Sequence, residues 1–156
     1  MADLIYVDPA TKGAIYQGGK TDVEAIETDA YHYDLVVLAA NNFQPKHLFT
    51  QNPVQLLHIP FDDAIHLSES DRITIRKYAL DASLIVLSFI HKGKSVLISC
   101  NAGKNRSGLI TAFCLMRCCK RCNWDASEAI KLIQEKRPES LTNPDFIDII
   151  MEGPDD

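Results

Sequence analysis

The sequence lacks a long apolar run and a surplus of positive charge, and each absence argues against a class of function. No uninterrupted hydrophobic stretch approaches the roughly 20 residues that cross a bilayer. Met1 to Leu4 leads into no cationic, apolar leader. A soluble cytoplasmic protein without stable membrane insertion is therefore expected. Sixteen Lys and Arg stand against 21 Asp and Glu, for a net charge of -5. DNA and anionic lipid surfaces reward a basic face, so broad electrostatic binding to either is disfavoured.

A disulfide framework is missing as well. The five cysteines are odd in number, and four of them, Cys114, Cys118, Cys119 and Cys122, crowd into nine residues. A reducing compartment suits them. Cys114, Cys118 and Cys122 fall on one helical stripe and cannot by themselves surround a tetrahedral ion. No His-x-x-Cys or second Cys pair lies nearby, so they read as small apolar helix positions and no metal is expected. His47 and His58 likewise lack a partner at ligand spacing. Gly19-Lys20-Thr21 ends like a nucleotide-binding loop, but Ala14 occupies the place five residues earlier where that loop needs glycine.

What is present is enough for one compact domain over residues 1–156: the chain is 46% apolar. Short apolar runs at Leu4 to Val7 and Ala14 to Gln17 predict two strands. Thr21 and Glu24 make a capping box for a short helix through about Ala30. Asp34 to Ala40 and Val54 to Ile59 are continuous apolar runs and predict strands buried on both faces, with turn chemistry from Asn41 to Pro45 between them. Several N-cap residues from Ser68 to Asp71 precede a long helix over Ile73 to His91, with Ile73, Ala79, Leu80, Leu84, Leu87 and Ile90 as its apolar face. A strand follows over Ser95 to Ser99, then a helix from Leu109 to about Lys120. Asp125 with Glu128 opens a further helix through Arg137, stopped by Pro138. Asn143-Pro144 opens the last one. Gly153 to Asp156 reads as an acidic end. Alternating strands and helices of this kind predict an α/β three-layer sandwich, a mostly parallel central sheet flanked by helices.

The stretch around which the chain is organised is Ser99 to Gly108, SCNAGKNRSG, where a strand runs into a turn and then into a helix. Five residues separate Cys100 from Arg106, and Ser107 follows at once. A helix that starts near Arg106 aims its unpaired first amides and positive dipole end at the turn, where an anion would be held. The same field favours the thiolate of Cys100, the nucleophilic form. Arg106 carries a planar fork of donors that matches two phosphate oxygens. Ser107 can donate to the sulfur when it departs, Gly103 permits an unusual backbone angle, and Asn101, Ala102, Gly103, Lys104 and Asn105 would supply mostly backbone amides.

Cys100, five residues, then Arg106-Ser107 resembles the signature of the cysteine-dependent protein tyrosine phosphatase superfamily, the dual-specificity phosphatases in particular. Tyr16-Gln17-Gly18, Glu128-Ala129 through Arg137-Pro138 and Asn143-Pro144-x-Phe146 are similar to flanking segments of those domains, so the resemblance covers about residues 4–151. It implies the phosphatase fold, no cofactor, and phosphomonoester hydrolysis through a phosphocysteine intermediate. The partner implied is a phosphorylated protein. Ile59-Pro60-x-x-Asp63 resembles the segment that carries the family's general acid, which names Asp63 for that role with Asp62 as fallback and His66 as a remoter candidate. Asp63 lies 37 residues before Cys100, so this loop should be longer than in relatives. The pattern departs at Ser99, where histidine is usual; a serine lacks the imidazole's charge and reach, and Cys100 should ionise less readily for it. Lys104 is similar to a cation found in phosphoinositide phosphatases. A phosphoinositide or RNA 5′-triphosphate is thus the alternative substrate, and a non-catalytic phosphate-binding pseudophosphatase the alternative class.

Overall fold

The computed structural model describes residues 1–25, 33–40, 54–117 and 124–154. The expected turn from Asn41 to Pro45, His47, the helix end near Ala30, Lys120, Cys118, Cys119, Cys122 and the final two residues lie outside the described residues. Five strands form one sheet: β1 (Asp3–Val7), β2 (Ala14–Gly18), β3 (Leu35–Leu38), β4 (Gln55–His58) and β5 (Ser95–Ser99), in the order β1-β2-β5-β3-β4. Among the described residues only the β1–β2 pair is antiparallel; β2, β5, β3 and β4 run parallel.

Side chains alternate across β5 and divide the molecule into two cores. Val96, Ile98 and Cys100 face one core with Leu35 and Val37 of β3, while Leu97 faces the other with Val36 and Leu38. The first core is covered by four helices: α2 (Glu69–Ile90), α3 (Arg106–Arg117), α4 (Ala126–Lys136) and α5 (Pro144–Glu152). The second receives Val23 from the short α1 (Lys20–Glu24). The expected sandwich and its largely parallel sheet are therefore observed.

Two expectations about burial are corrected. β4 is not buried on both faces: Gln55 and Leu56 are exposed and Leu57 and His58 half-buried, and among the described residues β4 is an edge strand paired with β3 alone. On α2, Ile73 and Leu84 face solvent, at 62% and 47% exposure. The buried face keeps the expected Ala79, Leu87 and Ile90 and is completed by Ile75, Ala82, Ser83 and Val86. It closes on the small residues Ala82 and Ser83, which admit α3 so closely that Cys114 Sγ lies 3.9 Å from the Ser83 carbonyl. An apolar count passes over such small positions.

The caps of the later helices agree with the sequence: Ser68, Asp125 and Asn143 each accept from backbone amides in the first turn of α2, α4 and α5. The cap of α1 does not. Its N-cap is Gly19 rather than Thr21, and the Asp22 carboxylate accepts from the Gly19 amide at 2.8 Å. A Cβ at Gly19 would lie 2.9 Å from the Asn101 carbonyl oxygen, so a bare cap is what lets the loop after β5 approach.

Candidate active site

The loop from Cys100 to Arg106 leaves the carboxyl end of β5, the central strand, with β2 and β3 on either side. Brackets from outside the loop take up its carbonyls in succession. The Lys20 amide donates to Asn101 O at 2.9 Å, the Leu141 amide to Lys104 O at 3.2 Å, and the Leu109 amide to Asn105 O at 2.9 Å. Arg137 Nη2 donates to Ala102 O at 3.3 Å and its Nε to Gly103 O at 2.7 Å, which also receives Gln17 Nε2 at 2.9 Å. A trans peptide points its N–H opposite the preceding carbonyl, so tying five carbonyls outward turns the following amides inward. Among the described residues, the amides of Ala102, Gly103, Lys104 and Asn105 donate to no protein acceptor. Gly103 makes the turn possible with φ of 70°.

At the base of this ring of amides lies Cys100, 3% exposed, with its Sγ 3.3 Å from Ser107 Oγ. With sulfur ionised, the hydroxyl is the donor. Arg106 opens α3, whose first turn carries no acidic side chain to occupy its amides. Its Nη1 donates to the Phe61 carbonyl at 3.2 Å, while its buried Nε has no hydrogen-bond partner among the described residues. A charged donor buried without an acceptor is costly unless an anion completes it. Ser99 does not serve the loop: its buried hydroxyl donates to Val37 O of β3 at 2.6 Å.

The residues that sequence reading proposed as proton donors fall differently. Asp63 is brought onto the loop, with Oδ2 accepting from Asn105 Nδ2 at 3.1 Å and Oδ1 from Asn143 Nδ2 at 2.8 Å. All three side chains are exposed, and neither Asp62, on the wall of a cavity of about 290 Å³ between this segment and α2, nor His66 shares the two asparagine contacts of Asp63. Lys104 turns to the rim and pairs with Glu139 at 2.9 Å. That hydrogen bond, together with the lysine charge, holds the exposed Glu139 carboxyl below its ordinary value of 4.5.

Four contributors were not anticipated: the side chain of Asn105, the amide of Asn143, Arg137 and Gln17. In the sequence Asn143 and Arg137 stand out as a helix cap and a helix end, and, with Gln17, within segments that resemble the family, but not for what their side chains reach. Among the described residues no group of three His, Cys, Asp or Glu side chains converges in a way that could hold a metal.

A buried thiol at the end of a central parallel strand, beneath a ring of free amides and an arginine, defines a protein of the cysteine-dependent tyrosine phosphatase superfamily. The sequence profile of the dual specificity phosphatase catalytic domain matches residues 15–155, and the chain belongs to that family. No curated protein matches it. Among solved structures, human DUSP28 is similar with a TM-score of 0.72 and 20% identity, covering 96% of this chain and 90% of that one. The active form of Tk-PTP aligns with a TM-score of 0.69 and 21% identity, covering 96% and 94%. PTPMT1 in complex with PI(5)P aligns with a TM-score of 0.67 and 16% identity, covering 88% of each. These likenesses establish the shared fold.

Proposed function

We propose that residues 1–156 form a single catalytic domain, a cytoplasmic protein phosphatase that hydrolyses phosphotyrosine, phosphoserine or phosphothreonine through a phosphocysteine. The observation that carries the reading is the buried Cys100 Sγ held 3.3 Å from Ser107 Oγ under a ring of free amides. The thiolate attacks phosphorus and the bond from phosphorus to the leaving oxygen breaks. Asp63 gives that oxygen a proton, which an alkoxide needs at neutral pH. Arg106 and the loop amides bind the equatorial oxygens and stabilise charge that grows in the transition state. In the second step Asp63 takes a proton from water, water attacks phosphorus, and the thiolate departs with the Ser107 hydroxyl bonded to it. No cofactor enters either step.

Protein is preferred over a multiply phosphorylated ligand because the loop cation, Lys104, is engaged by Glu139. The phosphoinositide in the PTPMT1 complex keeps that class in the test panel. The experiment is hydrolysis of p-nitrophenyl phosphate, phosphotyrosine and phosphothreonine peptides, an inositol phospholipid and an RNA 5′-triphosphate. Cys100→Ser should abolish turnover, and Asp63→Ala should lower kcat on the peptides by about 10²–10⁴-fold. Activity surviving in Cys100→Ser refutes the mechanism; a wild type inert on the whole panel refutes the enzyme and leaves a phosphate-binding module.

A further inference from the structure

The segment that carries Asp63 has an unusual support. On its α2 side it is not packed solidly: Phe61, Asp62 and Ala64 face Asp71, Ile75 and Tyr78 across the cavity of about 290 Å³. Its attachments come from elsewhere. Phe61 stacks edge-on against Phe146 of α5, with ring centroids 5.9 Å apart, and the Leu67 amide donates to the Asp145 carboxylate at 3.4 Å. Between these two anchors Asp63 hangs on two asparagine amides. We propose that Asn143 and Asn105 are positioning residues that hold the Asp63 carboxyl over the phosphate loop, so that the N-cap of α5 doubles as the seat of the proton donor. The inference rests on the phosphatase reading above.

The chemistry of the cap argues for this double duty. Asn143 Oδ1 accepts from the Asp145 and Phe146 amides at 3.0 and 3.3 Å and caps the helix. Its Nδ2 donates to Asp63 Oδ1 at 2.8 Å and to Ala64 O at 2.9 Å. Aspartate caps a helix equally well but donates nothing, and serine has a single donor on a shorter stem. Asparagine alone among the good caps both accepts from the helix and grips two acceptors on the facing segment.

Asn105 repeats the pattern from the loop side. Oδ1 accepts from the Thr142 and Asn143 amides at 2.8 and 3.0 Å, and Nδ2 donates to Asp63 Oδ2 at 3.1 Å and to Thr142 Oγ at 3.3 Å. Backbone amides can only donate, so Oδ1 must face them and Nδ2 must face the carboxylate. The two carboxylate oxygens of Asp63 are thus held from the loop and from α5 at once.

The test separates positioning from folding. Asn143→Ser and Asn105→Ser keep a hydroxyl acceptor for the neighbouring amides, add no charge to the loop, and shorten the stem so that the donor to Asp63 is lost. Each is assayed on p-nitrophenyl phosphate, whose leaving group departs without a proton, and on phenyl phosphate, whose leaving group needs one. Expected is a fall in kcat of about 10- to 100-fold on phenyl phosphate and only a few-fold on p-nitrophenyl phosphate. KM should stay within a few-fold. In an Asp63→Asn background the same substitutions should cost nothing more, since they act through that carboxyl. Equal loss on both substrates, or full additivity with Asp63→Asn, overturns the proposal. A wild type inert on both esters sinks the phosphatase reading itself. An active wild type whose Asp63→Asn variant shows no dependence on leaving group sinks the acid assignment and this inference with it.

Discussion

Arg137 is the residue whose removal tests most directly how the phosphate loop is shaped. Its side chain is 15% exposed and lies behind the loop, bonded to Gly103 O at 2.7 Å, Ala102 O at 3.3 Å and Gln17 O at 3.4 Å. It also reaches Met1 O at 3.0 Å and the Asp3 carboxylate at 2.9 Å. In Arg137→Ala the short bond to Gly103 O is the main loss, a charge-assisted bond of about 1.5–3 kcal/mol. Gly103 O keeps Gln17 Nε2, so it is not orphaned. The exposed pair with Asp3 adds at most about 1 kcal/mol. The sum, about 1.5–4 kcal/mol, corresponds to a melting point lowered by roughly 3–16 °C for a domain of this size. Activity should fall further than stability suggests. With the bracket gone, the Ala102 and Gly103 carbonyls can rotate toward the loop centre and turn their neighbouring amides away from phosphate. A loss of about 10- to 100-fold in kcat/KM and a matching loss of vanadate affinity are expected well below the new melting point. Arg137→Lys, with one point donor in place of a fork, should recover only part of either. Asp3→Ala provides the contrast, a small thermal loss with unchanged kcat/KM. Arg137→Ala with lowered melting point but intact kcat/KM and vanadate binding would refute the argument, leaving Arg137 as a tie for the N-terminal strand.

Two further outcomes follow from the same loop. Gly103→Ala forces a side chain into the left-handed region at φ of 70°, costing about 1–2 kcal/mol. Its Cβ would also meet the Gly18 carbonyl group, backbone that cannot swing aside, so kcat/KM should drop at least about 100-fold while far-ultraviolet dichroism stays native; wild-type kinetics would show that the loop needs no glycine there. Glu139→Gln breaks the rim pair with Lys104. Because that pair lowers the Glu139 carboxyl in the folded protein, its stabilisation is present above the unfolded value of 4.5 and is lost as pH falls through the lower folded value. The small melting-point gap between wild type and variant should therefore persist at neutral pH, shrink with added salt and close below about pH 4.5, as followed by calorimetry; a gap that widens in acid would reverse the assignment.

What could be read ahead of the structure was chemistry confined to one segment. Cys100, Arg106 and Ser107 lie within eight residues, and that spacing carries the proposed phosphatase reading, since a turn of that length can wrap one phosphate. The strands were legible for a similar reason, since continuous apolar runs such as Leu35–Leu38 have few other destinations. Where a feature depended on its neighbours the reading failed. Among the described residues β4 is an exposed edge strand, and small residues on α2 complete a face that the apolar count only began. The glycine cap of α1 offers no side chain to recognise. Asn105 was read for its backbone alone, because what its side chain does depends on Asp63 and Thr142, distant in the chain by 42 and 37 residues.

That division has a physical origin which bears on how the site works. On the proposed reading the loop binds phosphate with its own backbone, and local sequence suffices for that. The proposed proton transfer needs a carboxyl delivered from another segment, and Asp63 is held there by the cap of α5 and by Asn105 rather than by apolar burial beneath it. Polar attachments of this kind are worth about 1 kcal/mol each in net stability, so they can be broken without unfolding the sheet. Anion binding and acid placement are therefore separable properties of this fold. Substitutions at Asn105 and Asn143 should leave a protein that still captures phosphate and no longer releases a poor leaving group efficiently.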